Sequence, residues 1–406
     1  MIRSLVRVGL AGAVLTLLIL LGGCGGGGSG SSTTTPPPTA NTVPITVDLG
    51  PAGNFVNLAT VSVTLCAPGS TTQCQTIDHI QVDTGSSGLR ILASAISPAI
   101  LLPQQTGSNG APLVQCFQFI DGFVWGPVKA ADIQMAGESG HGIAIQVIGD
   151  PAFPAVPSSC SHAGPPENDV SALGANGVLG ISFFLQDCGN ACAASALPGV
   201  YYTCNVGATC QPIAVPLAQQ TPNPVSLFAT DNNGVIVTLP LISAVGAATS
   251  TGSLILGIGT QADNSLGAAT VFTANASTGT LSTTLNGQSL SDSYIDSGSS
   301  AFYFGNGAVP ICTGPGSGLY CPASTQTLAA TIVGTNAATA QVGFSVANAD
   351  QLFNANPSFS AFANLGGPNS DASGFVWGLP FFFGRQVYTA FEGRSTPAGA
   401  GPFNAF

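Results

Sequence analysis

Ile80-Gln81-Val82-Asp83-Thr84-Gly85-Ser86-Ser87-Gly88-Leu89 decides how this chain is read, together with its echo Tyr294-Ile295-Asp296-Ser297-Gly298-Ser299-Ser300-Ala301-Phe302. Each copy is an apolar strand that runs into Asp, a small hydroxyl residue, Gly and Ser, and then turns apolar again. A tight glycine turn holds a carboxylate out from the strand end, where neighbouring hydroxyls can hydrogen-bond it. One copy would pass as an ordinary turn, since Asp, Gly and Ser are all favoured there. Two copies, flanked by β-forming residues and separated by about one lobe of chain, point to a duplicated architecture with one carboxylate from each half.

The chain around them suits two lobes. It has 406 residues, with 53 Gly and 29 Pro, and only 6% of it is charged. That length can enclose two cores, and the composition favours strands and loops over helices. The net charge of −11 repels polynucleotides, so nucleic-acid partners are excluded.

Arg3 and Arg7 precede an apolar run from Val8 to Leu21 that is too short to span a bilayer. It ends in Leu21-Gly22-Gly23-Cys24, which resembles the lipobox of bacterial lipoproteins, in which the cysteine carries the lipid. The expectation is a signal peptide over 1–23, lipidation at Cys24, and a Gly/Ser/Thr/Pro tether over 24–42. The protein would then be anchored in the bacterial cell envelope, at the outer membrane, and touch membrane only through its lipid.

Ten cysteines remain after Cys24. An even number in an exported chain reads as disulfides. Cys66–Cys74 and Cys312–Cys321 bracket short turn-rich segments. Cys188, Cys192, Cys204 and Cys210 form a cluster, which leaves Cys116 with Cys160. Cys188–Cys192 and Cys204–Cys210 are the pairings adopted within the cluster, although other pairings stay open there. A zinc site in the cluster is disfavoured because it contains no Cys-x-x-Cys spacing.

Outward from the first loop, Val56 to Leu65 and Ile77 to Val82 read as strands. Leu113–Ile120 and Phe123–Met135 read as a hairpin turning on Asp121-Gly122. Gly177-Val178-Leu179-Gly180-Ile181, Gly252-Ser253-Leu254-Ile255-Leu256-Gly257 and Phe375-Val376-Trp377-Gly378-Leu379-Pro380 follow. The first and last place Gly between apolar residues, as a strand passing close behind another backbone requires.

In this order, from Asn54 to Phe406, the motifs resemble those of the pepsin-like aspartic proteases. More narrowly the chain is similar to a bacterial lipoprotein family of unassigned function that carries the same two loops. The resemblance implies a mainly β, bilobal fold with pseudo-twofold related lobes, 43–235 and 236–406, and a central cleft. It implies Asp83 and Asp296 as the catalytic dyad, supported by Thr84, Gly85, Ser86, Ser297, Gly298 and Ser299. The hairpin would be the flap over substrate, with Phe119, Asp121 and Gly122 at its tip. The implied activity is that of an envelope-tethered aspartic endopeptidase, a monomer that cuts polypeptides with an activated water and needs neither metal nor cofactor. The alternative is an inactive scaffold of the same fold that binds a protein or glycan partner.

Two departures bear on that choice. Phe119 stands where the family has a flap tyrosine, and Arg90 where it has a tryptophan. Arg90 reads either as a surface residue or as a cation facing the cleft, where it would favour ionised carboxylates. Other chemistry fits poorly. There is no Gly-x-Ser-x-Gly elbow and no His-Glu-x-x-His, and His79, His141 and His162 are the only histidines.

Overall fold

The computed structural model describes residues 6–7, 41–205 and 209–406. Apart from residues 6–7, the expected signal peptide lies outside the described residues, as do Cys24 and nearly all of the tether. No helix among the described residues is long and apolar enough to cross a membrane.

The chain is mainly β and forms two lobes built on one repeated unit. In the first half, strand Gly177–Ile181 runs parallel to Cys74–Asp83, with Gly180 opposite Asp83. It is also antiparallel to Ser87–Leu92, the strand leaving the Asp loop. In the second half, Val376–Trp377 runs parallel to Gln288–Ile295 and antiparallel to Phe302–Tyr303. Each Asp loop is therefore a hairpin bend with an apolar strand threaded behind it. Glycine is required at the crossing. A Cβ on Gly180 would sit 2.8 Å from Ser86 Oγ, and one on Gly378 would sit 2.1 Å from the Ala301 carbonyl.

The halves are joined by strand Thr42–Asp48, which pairs with Leu58–Cys66 on one side and with Ser250–Leu256 on the other. A sheet of 15 strands runs through this joint, and a second sheet of 7 strands belongs to the second half. Apolar side chains from both lobes merge into one core. Beneath the second loop it is aromatic: Phe375 stacks on Trp377 with centroids 4.3 Å apart, and Trp377 donates to Thr283 Oγ1 at 3.0 Å.

All five expected disulfides are formed: Cys66–Cys74, Cys116–Cys160, Cys188–Cys192, Cys204–Cys210 and Cys312–Cys321. No thiolate of the Cys188–Cys210 cluster is left for zinc.

The hairpin forms between Leu113–Gln118 and Phe123–Met135, but its turn is centred one residue earlier than expected. The Phe119 amide donates to the Gly122 carbonyl at 2.8 Å, which puts Ile120 and Asp121 at the tip. Gly122 serves close approach instead: a Cβ there would lie 2.6 Å from the Pro165 carbonyl. The segment between Cys188 and Cys210 contributes a strand, Tyr201–Thr203, that pairs with the outer edge of this hairpin.

Candidate active site

Each Asp loop holds its carboxylate in the same way. Gly85 N–H donates to Asp83 Oδ1 at 2.8 Å and Ser86 Oγ donates to Asp83 Oδ2 at 2.5 Å. In the second loop, Gly298 N–H donates to Asp296 Oδ1 at 2.8 Å and Ser299 Oγ donates to Asp296 Oδ2 at 2.7 Å. The reason is local: two residues past each Asp the chain turns back, so one backbone amide and one hydroxyl face the strand end.

The loops are clamped to each other. Ser297 N–H donates to Thr84 Oγ1 at 3.0 Å, and Thr84 N–H donates to Ser297 Oγ at 3.2 Å. Both hydroxyls then donate across the lobe boundary, Ser297 Oγ to the Val82 carbonyl at 2.8 Å and Thr84 Oγ1 to the Ile295 carbonyl at 3.3 Å. Their symmetry is that of the two lobes.

The clamp brings the carboxyl groups together. A Cβ on Gly298 would lie 2.7 Å from Asp83 Oδ1 and 3.1 Å from Asp296 Oδ1, so both groups face one point. They hydrogen-bond each other, and the Asp296 carboxyl is held well above the usual carboxylate range. Burial is the main cause and the charge of Asp83 the next. The Ser299 and Gly298 hydrogen bonds pull the other way with less effect. Two carboxyls this close hold one proton between them. Beside the pair a cavity of about 140 Å³ opens between Thr84, Gly85 and Ile295 on one side and Phe183, Phe184 and Gly279 on the other.

The remaining expected site residues are placed differently. Phe119 is 4% exposed and packs with Phe117, Leu92, Val124 and Val178 inside the first lobe. The ring is drawn onto its own lobe because the hairpin is tied to Pro165 and Glu167 by backbone hydrogen bonds from and to Phe123. Asp121 lies at this docked tip and Gly122 directly after it, against Pro165.

Arg90 is neither a surface residue nor a cation in the cleft. It is fully buried, with Nη2 3.2 Å from Asp187 Oδ2 and Nη1 donating to the carbonyls of Ser87 and Gly88 at 2.7 and 3.1 Å. Its guanidinium lies 3.5 Å from the Phe117 ring centroid. A buried guanidinium needs a counter-charge and several acceptors, and the fold supplies both.

Several contributors were not singled out from sequence. Asp187 also accepts from Tyr201 Oη at 2.7 Å and from Gln115 Nε2, so the insert is wired into the first Asp loop. Gln81 donates to the Gly298 carbonyl at 3.0 Å, and Asn57 donates to the Ser300 carbonyl at 2.7 Å. Both therefore hold the second loop from the first lobe. Strand alternation could have found Gln81, which shares a face with Asp83; nothing in the local sequence marks Asn57. Tyr294 lines the cavity. Its phenol is pushed up by burial, and further by Asp296, Asp371 and Asp83, so it stays protonated.

Residues 37–406 match a family described as a protein of unknown function, DUF3443. The chain belongs to the DUF3443 family. No curated protein matches this DUF3443 member. Among solved structures, the crystal structure of the aspartic proteinase from Irpex lacteus is similar at 13% identity and a TM-score of 0.48. The match covers 90% of this chain and 96% of that one.

Proposed function

We propose that this DUF3443 protein is an aspartic endopeptidase that hydrolyses peptide bonds through Asp83 and Asp296. The observation that carries this reading is the pair of carboxyls facing one point between symmetric, mutually clamped loops. Asp296, the group held protonated, donates to the carbonyl oxygen of the bond being cut. Asp83 takes a proton from a water molecule, and the oxygen of that water bonds to the carbonyl carbon. The tetrahedral species collapses as the C–N bond breaks: Asp83 passes the proton it took from water to the leaving amine nitrogen, Asp296 takes its own proton back from the hydroxyl, and no covalent enzyme intermediate forms. Division into lobes at 43–235 and 236–406, a lipid anchor at Cys24 and an outer-membrane location complete the proposal.

A second reading is a binding scaffold of the same fold. It is favoured by the docked hairpin and by the burial of the dyad, with Asp83 2% and Asp296 0% exposed. Digestion of acid-unfolded casein between pH 3 and 6 separates the two. Cleavage that is blocked by a statine-type inhibitor and lost in Asp83→Asn supports the peptidase. A folded protein that cuts nothing across this range overturns it in favour of the scaffold.

A further inference from the structure

The second lobe carries two open depressions of about 510 and 580 Å³ that meet at Gly384 and Arg385. Both volumes fall within the range of small-molecule sites, roughly 300–1,000 Å³. The first is floored by Phe302, Phe344 and Phe383, all buried, and rimmed by Leu241, which is 81% exposed. The second adds Leu266, Tyr388 and Phe406.

Arg385 is the unusual feature there. The whole sequence has only six basic residues. Arg90 and Lys129 each face a carboxylate, and Arg394 donates to the Ser226 carbonyl. Arg385 donates through Nη1 to the Phe381 carbonyl at 2.6 Å, with its guanidinium 4.6 Å from the Phe381 ring centroid. That bond caps a short turn and accounts for a donor at this place, but not for a charge. The guanidinium is half-buried, burial lowers its pKa, and no carboxylate among the described residues pairs with it. Desolvating a cation without a counter-ion is unfavourable, and a bound anion removes that cost.

We propose that this double depression binds a single anionic amphiphile, with its carboxylate on Arg385 and its acyl chain along Phe344, Phe383 and Leu241. A carboxylate matches the flat fork of one guanidinium in a bidentate manner. The linings add the uncharged Ser265, Thr327, Ser345 and Gln386 but no second cation, so the single charge of a carboxylate matches Arg385 better than a phosphate dianion does. The apolar walls require the tail. The first depression is assigned to it because three phenyl rings form its floor.

Calorimetric titration of the folded protein with dodecanoate, kept below its micellar concentration, tests this. Saturable one-to-one binding is expected, at least tenfold weaker with dodecanol in place of dodecanoate and in Arg385→Met. Thr327→Glu, at the exposed rim of the first depression, is expected to weaken dodecanoate binding by a similar factor, and it carries the test if Arg385→Met does not fold. Equal affinity for acid and alcohol, or undiminished binding in the variants, overturns the proposal. So does binding confined to phosphatidylglycerol vesicles or to a peptide with an apolar C-terminus.

Discussion

Arg90 and Asp187 form an ion pair at 3.2 Å with both side chains at 0% exposure, joining the first Asp loop to the segment that opens the disulfide-tied insert. Truncating one partner strands the other charge in the interior. Arg90→Met alone is expected to lower stability by about 3–5 kcal/mol. Adding Asp187→Leu should recover part of that loss, since no lone charge remains. Urea unfolding of the two variants and the wild type measures this, and equal midpoints for single and double variants would contradict it.

The contribution of Asp296 to stability should fall as pH rises. The folded state raises the Asp296 carboxyl above its unfolded value, chiefly by burial. Its contribution is therefore fully present below the unfolded aspartate range, about pH 3.9, and is lost as pH climbs through the raised folded value. Asp296→Asn removes the titrating group, so its melting temperature should decline less between pH 4 and 8 than that of the wild type. Parallel melting curves across that window would show that Asp296 ionises freely in the fold.

Gly298→Ala tests the closeness of the dyad. The backbone of Gly298 is not left-handed, so the conformation admits alanine, but the new methyl would lie 2.7 Å from Asp83 Oδ1. One carboxyl must shift. Misplacement on this scale costs on the order of 10²-fold in rate, so casein cleavage should drop by about that factor while the circular dichroism spectrum is kept. Wild-type cleavage in this variant would mean that the two carboxyls do not act together.

Tyr294 Oη is shielded from solvent and has no hydrogen-bond partner among the described residues. Removing an unsatisfied buried hydroxyl leaves less to desolvate. Tyr294→Phe is therefore expected to be as stable as the wild type or more stable by about 1 kcal/mol. A clear loss in thermal unfolding would reveal a partner for the hydroxyl.

Much of the site was legible because its chemistry is local. In each loop the Asp, the glycine amide two residues on and the serine hydroxyl three residues on form one turn, so their spacing carries their contact. Arg90 was not legible in this way. From Gly88-Leu89-Arg90 it could be exposed or cleft-facing, and its burial depends on Asp187 and on Gln115 and Phe117 of the strand Leu113–Gln118, which arrive from two other segments.

The same division runs through the whole molecule. Sequence alone determined the duplicated Asp loops, the glycine-spaced apolar strands behind them, and the β-rich composition. These follow from turn chemistry, from period-two alternation and from the need for glycine at close backbone crossings. Only the tertiary structure decided that the hairpin lies docked on its own lobe, that the insert adds Tyr201–Thr203 to the hairpin's edge, and that Asn57 and Gln81 hold the second Asp loop. Those contacts join residues up to 243 positions apart. A side-chain amide can serve any carbonyl within its reach, so its partner is set by how the lobes pack and not by its neighbours in the chain.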